Sequence, residues 1–291
     1  MIKYSLMLDK GDGIKGDRRE GARYCKMAAD HGHVESMFLY ATILRKGDGI
    51  EPNQEEAAKY FKKAADKNKV EAMFNYAMML TKGLGVPVNK EEATKYYKKG
   101  AEKGHLNSIQ NYAYNLSRGE GTKVDKKEAA KYYKIAADQG IENSMYEYAN
   151  MKNKGDGIPI DKKEAEKYYK KAIEKGHVES MYKYANMLQN GDGIQCNNKE
   201  AEKLYKKAIE KGHVNSMYNY GLMLYFGCEN IKSDKKEASK YFKMAANKDK
   251  VEALYNYGMM LFQGDGISCN KKEAIEYLKK AADKGNKEAA Y

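Results

Sequence analysis

The chain has 291 residues, 53 Lys and Arg against 41 Asp and Glu for a formal charge of +12, three Pro, 26 Tyr, 16 Met and no Trp. This palette of charged helix formers excludes a strand-rich fold, and no apolar run approaches the roughly 18 residues of a bilayer span. Cys25, Cys196, Cys228 and Cys269 are too few for a disulfide framework and match no zinc spacing, so they read as reduced thiols. Residues 1–10 lack the layout of a signal peptide, so the expected location is cytoplasmic, or the endoplasmic-reticulum lumen should a signal lie outside the chain.

The sequence returns on itself every 36 residues, with one step of 37. His-Val-Glu-Ser-Met at His33 recurs at His177, and related segments start at Lys69, His105, Ile141, His213 and Lys250. A period of this length means a helical array and takes precedence over any local motif. One solenoid is expected over 1–291, with copies at 1–32, 33–68, 69–104, 105–140, 141–176, 177–212, 213–249 and 250–285 and a partial ninth at 286–291. Positions are numbered below from His33.

The first copy shows only the end of one helix and then Asp17 opening another. In the copy at 33, Met37, Tyr40, Ala41 and Leu44 form an i, i+3, i+4, i+7 stripe, one buried face of a first helix. The loop Gly47 to Ile50 ends it, Asn53 caps a second helix, and Ala57, Tyr60, Phe61 and Ala64 repeat the stripe. The copies at 69 and 105 follow suit with caps Asn89 and Asp125. The copy at 141 has the loop Gly155 to Ile158, Asp161, then Ala165, Tyr168, Tyr169 and Ala172. In the copy at 177 the first stripe is Met181, Tyr184, Ala185 and Leu188, and the cap is Asn197. The copy at 213 carries one extra loop residue within Gly227 to Ile231 before Asp234, and the copy at 250 has Asn270. Three residues after every cap stands Glu, from Glu20 and Glu56 to Glu273, the signature of a capping box. Pro52, Pro87 and Pro159 all fall in the inter-helix loop, and Gly at position 36 ends most second helices.

The strings Ala-x-x-x-Leu/Met-x-x-Gly-x-Gly and Ala-x-x-Tyr-Tyr/Phe-x-x-Ala-Ala-x-x-Gly resemble the Sel-one-like repeat family, relatives of the tetratricopeptide repeats, over essentially the whole chain. The resemblance implies an all-α, right-handed alpha-alpha superhelix of about eight 36-residue helix-turn-helix repeats that scaffolds protein complexes. Secreted bacterial members carry a cysteine pair in each repeat. No repeat here has one, which argues against a disulfide-stapled version.

One hairpin of two helices of roughly 12 residues cannot bury its apolar face, so stability is expected to come from neighbouring copies. Tyr at position 8, from Tyr4 and Tyr40 to Tyr257, reads as core with a polar tip. Positions 3, 7, 10 and 14 of the first helix lie beside that core and, by analogy with related solenoids, line a concave face. Asn75, Asn111, Asn219 and Asn256 stand at position 7, Asn150 and Asn186 at position 10, and Lys46, Lys82, Arg118 and Lys154 at position 14. An Asn amide donates and accepts at once, so these residues are the candidate peptide-binding set, a groove with a cationic rim suited to acidic segments. The alternative is ordinary exposed Asn and Lys in a chain rich in both.

The lysines of the Lys-Lys-Glu-Ala strings read as a solvated outer face rather than a nucleic-acid surface, because the tyrosines are occupied in the core. Gly11, Gly13 and Gly16 spell a dinucleotide fingerprint without the strand it requires. His33, His105, His177 and His213 stand one repeat apart, too far for one metal, and read as turn residues. Asn115 heads a lone glycosylation sequon inside a helix. Lys152, in place of the position-12 Leu, and the extra residue near Cys228 are the two breaks in pattern. With no non-repeating set of nucleophile, base and orienting group, the expectation is a protein or peptide binder with no catalytic residues, cofactor, metal or small-molecule substrate. Alternatives are the regulatory arm of a larger enzyme such as a kinase, or a fixed component of a large assembly. Met1 at position 5 and Tyr291 six residues into a ninth copy suggest a fragment of a longer protein.

Overall fold

The computed structural model describes residues 17–290, which form fifteen α-helices and a closing 3-10 turn at Glu288–Ala290. In chain order they are α1 (Arg18–Asp30), α2 (Val34–Lys46), α3 (Gln54–Asp66), α4 (Val70–Lys82), α5 (Lys90–Glu102), α6 (Leu106–Arg118), α7 (Lys126–Asp138), α8 (Glu142–Lys154), α9 (Lys162–Glu174), α10 (Val178–Asn190), α11 (Asn198–Glu210), α12 (Val214–Phe226), α13 (Lys235–Ala246), α14 (Val251–Gln263) and α15 (Lys271–Asp283). Even-numbered helices are first helices of the repeat and odd-numbered ones second helices. Lys3, Tyr4, Gly11, Gly13 and Gly16 lie outside the described residues. Two compact units emerge, one running to Ser144 and including Asp156–Ile158, the other comprising Met145–Gly155 and the chain from Pro159 onward.

Every second helix begins as its sequence dictates. Asp17, Asn53, Asn89, Asp125, Asp161, Asn197, Asp234 and Asn270 each accept a hydrogen bond from the backbone N–H of the Glu three residues on. The reciprocal half of the capping box is replaced. The cap's own N–H donates to the position-12 carbonyl of the preceding first helix, as in Asn53 to Leu44 (2.9 Å) and Asp161 to Lys152 (3.0 Å). A backbone bond thereby closes the loop, and the Glu carboxylate is left for other partners. Where position 36 lacks Gly, Asn68 and Asp249 adopt the left-handed conformation instead (φ 69° and 61°).

First helices start on the position-1 residue, which caps rather than merely turns the chain. His33, His105, His177 and His213 each accept the N–H of the Ser three residues on through Nδ1, at 3.2 Å. Lys69 and Lys250 provide no side-chain cap, and there the Ser is replaced by Ala72 and Ala253. The Ser hydroxyls at 108, 180 and 216 lie 2.8–2.9 Å from the same Nδ1. Ile141 breaks the scheme, and the buried Ser144 Oγ three residues on has no hydrogen-bond partner among the described residues.

Within each unit the core is the expected stripe. Tyr40, Tyr76, Tyr112, Tyr148, Tyr184, Tyr220 and Tyr257 are buried. All of these rings but that of Tyr184, which has Leu204 at the equivalent place, meet a second-helix ring edge-on, namely Tyr60, Tyr96, Tyr132, Tyr168, Tyr241 and Tyr277, with centroids 4.7–5.0 Å apart. Tyr hydroxyls find carboxylates, as in Tyr148 to Glu164 (3.1 Å) and Tyr220 to Glu202 (2.8 Å). The break at Lys152 is absorbed here. Its apolar stem keeps the core position while its ammonium pairs with Glu164 at 2.8 Å.

Successive repeats are keyed by the Gly-Asp-Gly loop. Its second glycine approaches the start of the previous second helix so closely that a Cβ on Gly121 would fall 2.0 Å from the Lys90 carbonyl oxygen. Beside it, the loop acid pairs with the first residue of that helix: Arg18–Asp48, Lys90–Glu120, Lys126–Asp156, Lys162–Asp192 and Lys235–Asp265, all at 2.6–2.8 Å. Where the acid becomes Leu84 the partner becomes Gln54. Where the loop is rebuilt at 227–231 the partner is Asn198, whose amide donates to the Glu229 carbonyl at 3.1 Å. The extra residue there forms a tight turn, closed by Cys228 and Ile231 exchanging both backbone hydrogen bonds at 2.9 Å, with Asn230 at φ 66°.

Candidate peptide-binding face

The asparagines of the first helices divide into three groups by what they already hold. Asn75 and Asn111 donate back to the carbonyls of Glu71 and Asn107, four residues earlier, both at 2.7 Å. Asn75 also accepts from Arg45 of the preceding repeat at 2.7 Å. Asn150 and Asn186 accept from Tyr169 (2.5 Å) and Tyr205 (2.6 Å) of their own second helices. Burial raises the pKa of both phenols, so each stays a donor. Asn219 and Asn256 reach back one repeat, Asn219 to Asn186 at 2.9 Å and Asn256 to the Tyr218 hydroxyl at 3.2 Å. All six are half-buried. Asn75, Asn186, Asn219 and Asn256 therefore link neighbouring first helices, whereas Asn111 bonds only its own helix among the described residues.

The position-14 cations behave differently. Lys46, Lys82, Arg118 and Lys154 are exposed in the last turn of their helices, and none forms an ion pair among the described residues. Some of this charge complements the negative helix end, worth about 0.3–1 kcal/mol each.

The lysines of the second helices are not one solvated face, contrary to the sequence reading. Those at position 27 are, as in Lys59 and Lys95, each pairing four residues back on its own helix. At position 30, Lys98 and Lys134 pair with Glu102 and Asp138 of their own helices, but five others cross to the next repeat. Lys62 binds Glu92 (3.0 Å) and the Tyr96 hydroxyl (3.2 Å) and sits 5.1 Å from the Tyr76 ring centroid. Lys26, Lys170, Lys206 and Lys243 take equivalent places over Tyr40, Tyr184, Tyr220 and Tyr257. Desolvation opposes the charge of Lys62, but the bonds to Glu92 and Tyr96 outweigh it and raise its pKa. Burial and the Asp66 carboxylate push Tyr96 up to about 12.

Sequence reasoning passed over position 6. Phe74, Tyr146 and Tyr182 each lie against the capping His of the following repeat, with centroids 4.8–5.2 Å apart. Phe38 and Tyr218 lie under Lys69 and Lys250 in the same way. The aromatic recurrence at Phe38, Phe74, Tyr146, Tyr182, Tyr218 and Tyr255 was available in the sequence, masked by the stronger Tyr at position 8. Asn115, of the lone sequon, is buried with its amide on Thr94 at 2.7 Å. No cluster of three or more His, Cys, Asp or Glu suited to a metal occurs among the described residues, and no described helix is long and apolar enough to cross a membrane.

The fold is shared with a protective antigen of uropathogenic Escherichia coli strains displaying an SLR fold, at 22% identity over 99% of this chain and 69% of the antigen, TM-score 0.77. It is also shared with a Sel1 repeat protein from Oxalobacter formigenes, at 23% identity over 99% of this chain and 84% of that one, TM-score 0.78. No curated protein sequence matches significantly. The Sel1 repeat model matches residues 1–33, 34–69, 70–105, 107–141, 143–177, 178–213, 214–250 and 251–286, and with these eight matches, the helix pairs and their keyed loops, the chain belongs to the Sel1 repeat family of all-α solenoids.

Proposed function

We propose that the protein is a non-catalytic scaffold that holds partner proteins or peptides along its first helices and favours acidic segments. The observation that carries this reading is the contrast among its cations. The lysines at positions 22 and 30 are largely consumed by ion pairs and ring contacts between repeats, whereas Lys46, Lys82 and Arg118 recur in register within the first unit, exposed and without a carboxylate, and Lys154 of the second is likewise exposed and unpaired. Repeats of this kind generally mediate protein interactions, and charge presented at a fixed spacing suits an extended acidic chain.

The test is titration of a labelled polyglutamate peptide into the full chain at two salt concentrations. Replacing Lys46, Lys82 and Arg118 together with Gln is expected to weaken binding about ten-fold and flatten its salt dependence. Unchanged affinity overturns the reading. Asn111→Ala is the clean Asn probe, because Asn75 and Asn219 also hold neighbouring repeats together and their loss lowers stability.

A further inference from the structure

We infer that the cavity between α12 and α14 receives one bulky apolar side chain presented by an acidic peptide segment. The inference rests on the scaffold reading and gives it an anchor point. The cavity encloses about 260 Å³ and is walled by Leu222, Tyr225 and Phe226 of α12 and by Met259, Met260 and Gln263 of α14, with the buried Phe242 ring also lining it. Phe226 keeps 74% of its surface exposed at the last residue of its helix. It occupies position 14, where four earlier copies carry a cation.

The position-13 side chain differs between junctions. At the junction of α2 and α4 the position-13 residue is Arg45, which lies over the Phe61 ring and binds Asn75, filling the space between the first helices. At the junction of α12 and α14 the position-13 residue is Tyr225. Its hydroxyl instead donates to Asp265 at 2.5 Å in the next loop, and Lys235 lies 4.9 Å from its ring centroid. The space beside Asn256 is left open. The amide of Asn256 donates to Tyr218, and its carbonyl oxygen accepts no bond among the described residues, so a backbone N–H entering the cavity has an acceptor.

Size and charge select the occupant. The volume lies just under the roughly 300–1,000 Å³ typical of free small-molecule sites, which leaves room for one side chain. Two methionines give walls that adapt to either an aromatic or a branched aliphatic group. Such a buried apolar anchor is the usual centre of a protein interface. Lys232, in the loop after α12, and Lys271, at the start of α15 beside the exposed Phe262 ring, are exposed and form no ion pair among the described residues. Uncompensated positive charge therefore stands in the segments that follow both wall helices, which favours an acidic occupant.

The experiment uses the full chain labelled at the methionine methyl groups. It is titrated with three blocked pentapeptides: Asp-Glu-Phe-Glu-Asp, the same with Ala for Phe, and the same with Lys for every acid. The Phe peptide is expected to shift the Met259 and Met260 methyls saturably, and the other two to bind at least ten-fold more weakly. Phe226→Ser, whose ring is mostly in water, and Met259→Trp, which fills the cavity, should each abolish those shifts without changing the helical content. No saturable shift at either methionine, or equal affinity for the Ala or Lys peptide, overturns the inference. Binding that survives Met259→Trp but is lost on replacing Lys46, Lys82 and Arg118 with Gln overturns the pocket and leaves the scaffold reading standing. The reverse pattern upholds the pocket and removes the cationic rim.

Discussion

Ser144→Ala should stabilise this protein, although the same change at the equivalent position of another repeat should destabilise it. Ser216 Oγ lies 2.8 Å from His213 Nδ1. Its removal forfeits a hydrogen bond worth about 0.5–1.5 kcal/mol while the backbone cap remains. Ser144 Oγ is equally buried, but its copy has Ile141 in place of His and it bonds nothing among the described residues. A buried unsatisfied hydroxyl costs about 1–3 kcal/mol, and deleting it recovers most of that less the small void left behind, a net gain of about 1 kcal/mol. The two Ser→Ala changes should thus differ by about 2 kcal/mol with opposite sign. Ile141→His supplies the missing acceptor and a cap worth about 1 kcal/mol, and in that background Ser144→Ala should become destabilising. The coupling, about 1–2 kcal/mol, is measured by a double-mutant cycle in urea followed by far-UV circular dichroism. If Ser144→Ala lowers stability as Ser216→Ala does, or the cycle shows no coupling, the pairing of position 1 with position 4 is not what organises the start of these helices.

Burial lowers the pKa of His105 from its unfolded value near 6.5, against the opposing pull of Glu71. The folded chain therefore holds this proton less tightly than the unfolded one, so its stabilising contribution is complete above about pH 6.5 and is lost as pH falls through the folded pKa. Denaturation midpoints should drop between neutral and mildly acidic pH, and His105→Asn, which keeps a cap acceptor that does not titrate, should flatten that slope; an unchanged slope refutes it. Gly121→Ala should cost at least about 3 kcal/mol, since it adds a backbone clash to a positive φ, whereas Gly104→Ala, with open space around it, should cost only the about 1–2 kcal/mol of the left-handed conformation. Equal costs would show that the loop does not dock on the preceding helix. Lys62→Ala should destabilise by about 1 kcal/mol through the loss of its ring and hydroxyl contacts. Lys59→Ala, on the same helix, should leave the melting temperature unchanged, and equal effects would return position 30 to the solvated face.

Helix limits, the caps of the second helices and the core were legible because each depends on residues close in sequence. Asp or Asn followed by Glu, and Gly at the helix ends, meet their partners within one copy, as do most rings of Tyr at position 8. What crosses between copies was not legible in the same way. Lys59 and Lys62 look alike on a helical wheel, and only the placement of the next repeat distinguishes the one in water from the one over Tyr76. The candidate asparagines recur at fixed positions of the period, but their amide dipoles are partly engaged by Arg45, Tyr169, Tyr205 and Tyr218, all at other positions of it. The cavity near Phe226 could have been suspected from the loss of the cation there. Its opening depends on where the Tyr225 hydroxyl goes, which no single-position pattern contains.

The pairing of each loop residue with the preceding helix start makes the copies non-interchangeable and decides where the chain can be shortened. Excising residues 90–125, from one helix start to the next, takes out Lys90 and Glu120 together and leaves Gln54 facing Leu84 and Lys126 facing Asp156. Excising 47–82, from loop to loop, also removes one full period but sets Leu84 against Arg18, a charge confronted by a hydrocarbon. Two deletions of identical length should therefore yield one well-behaved shorter protein and one with a faulty seam.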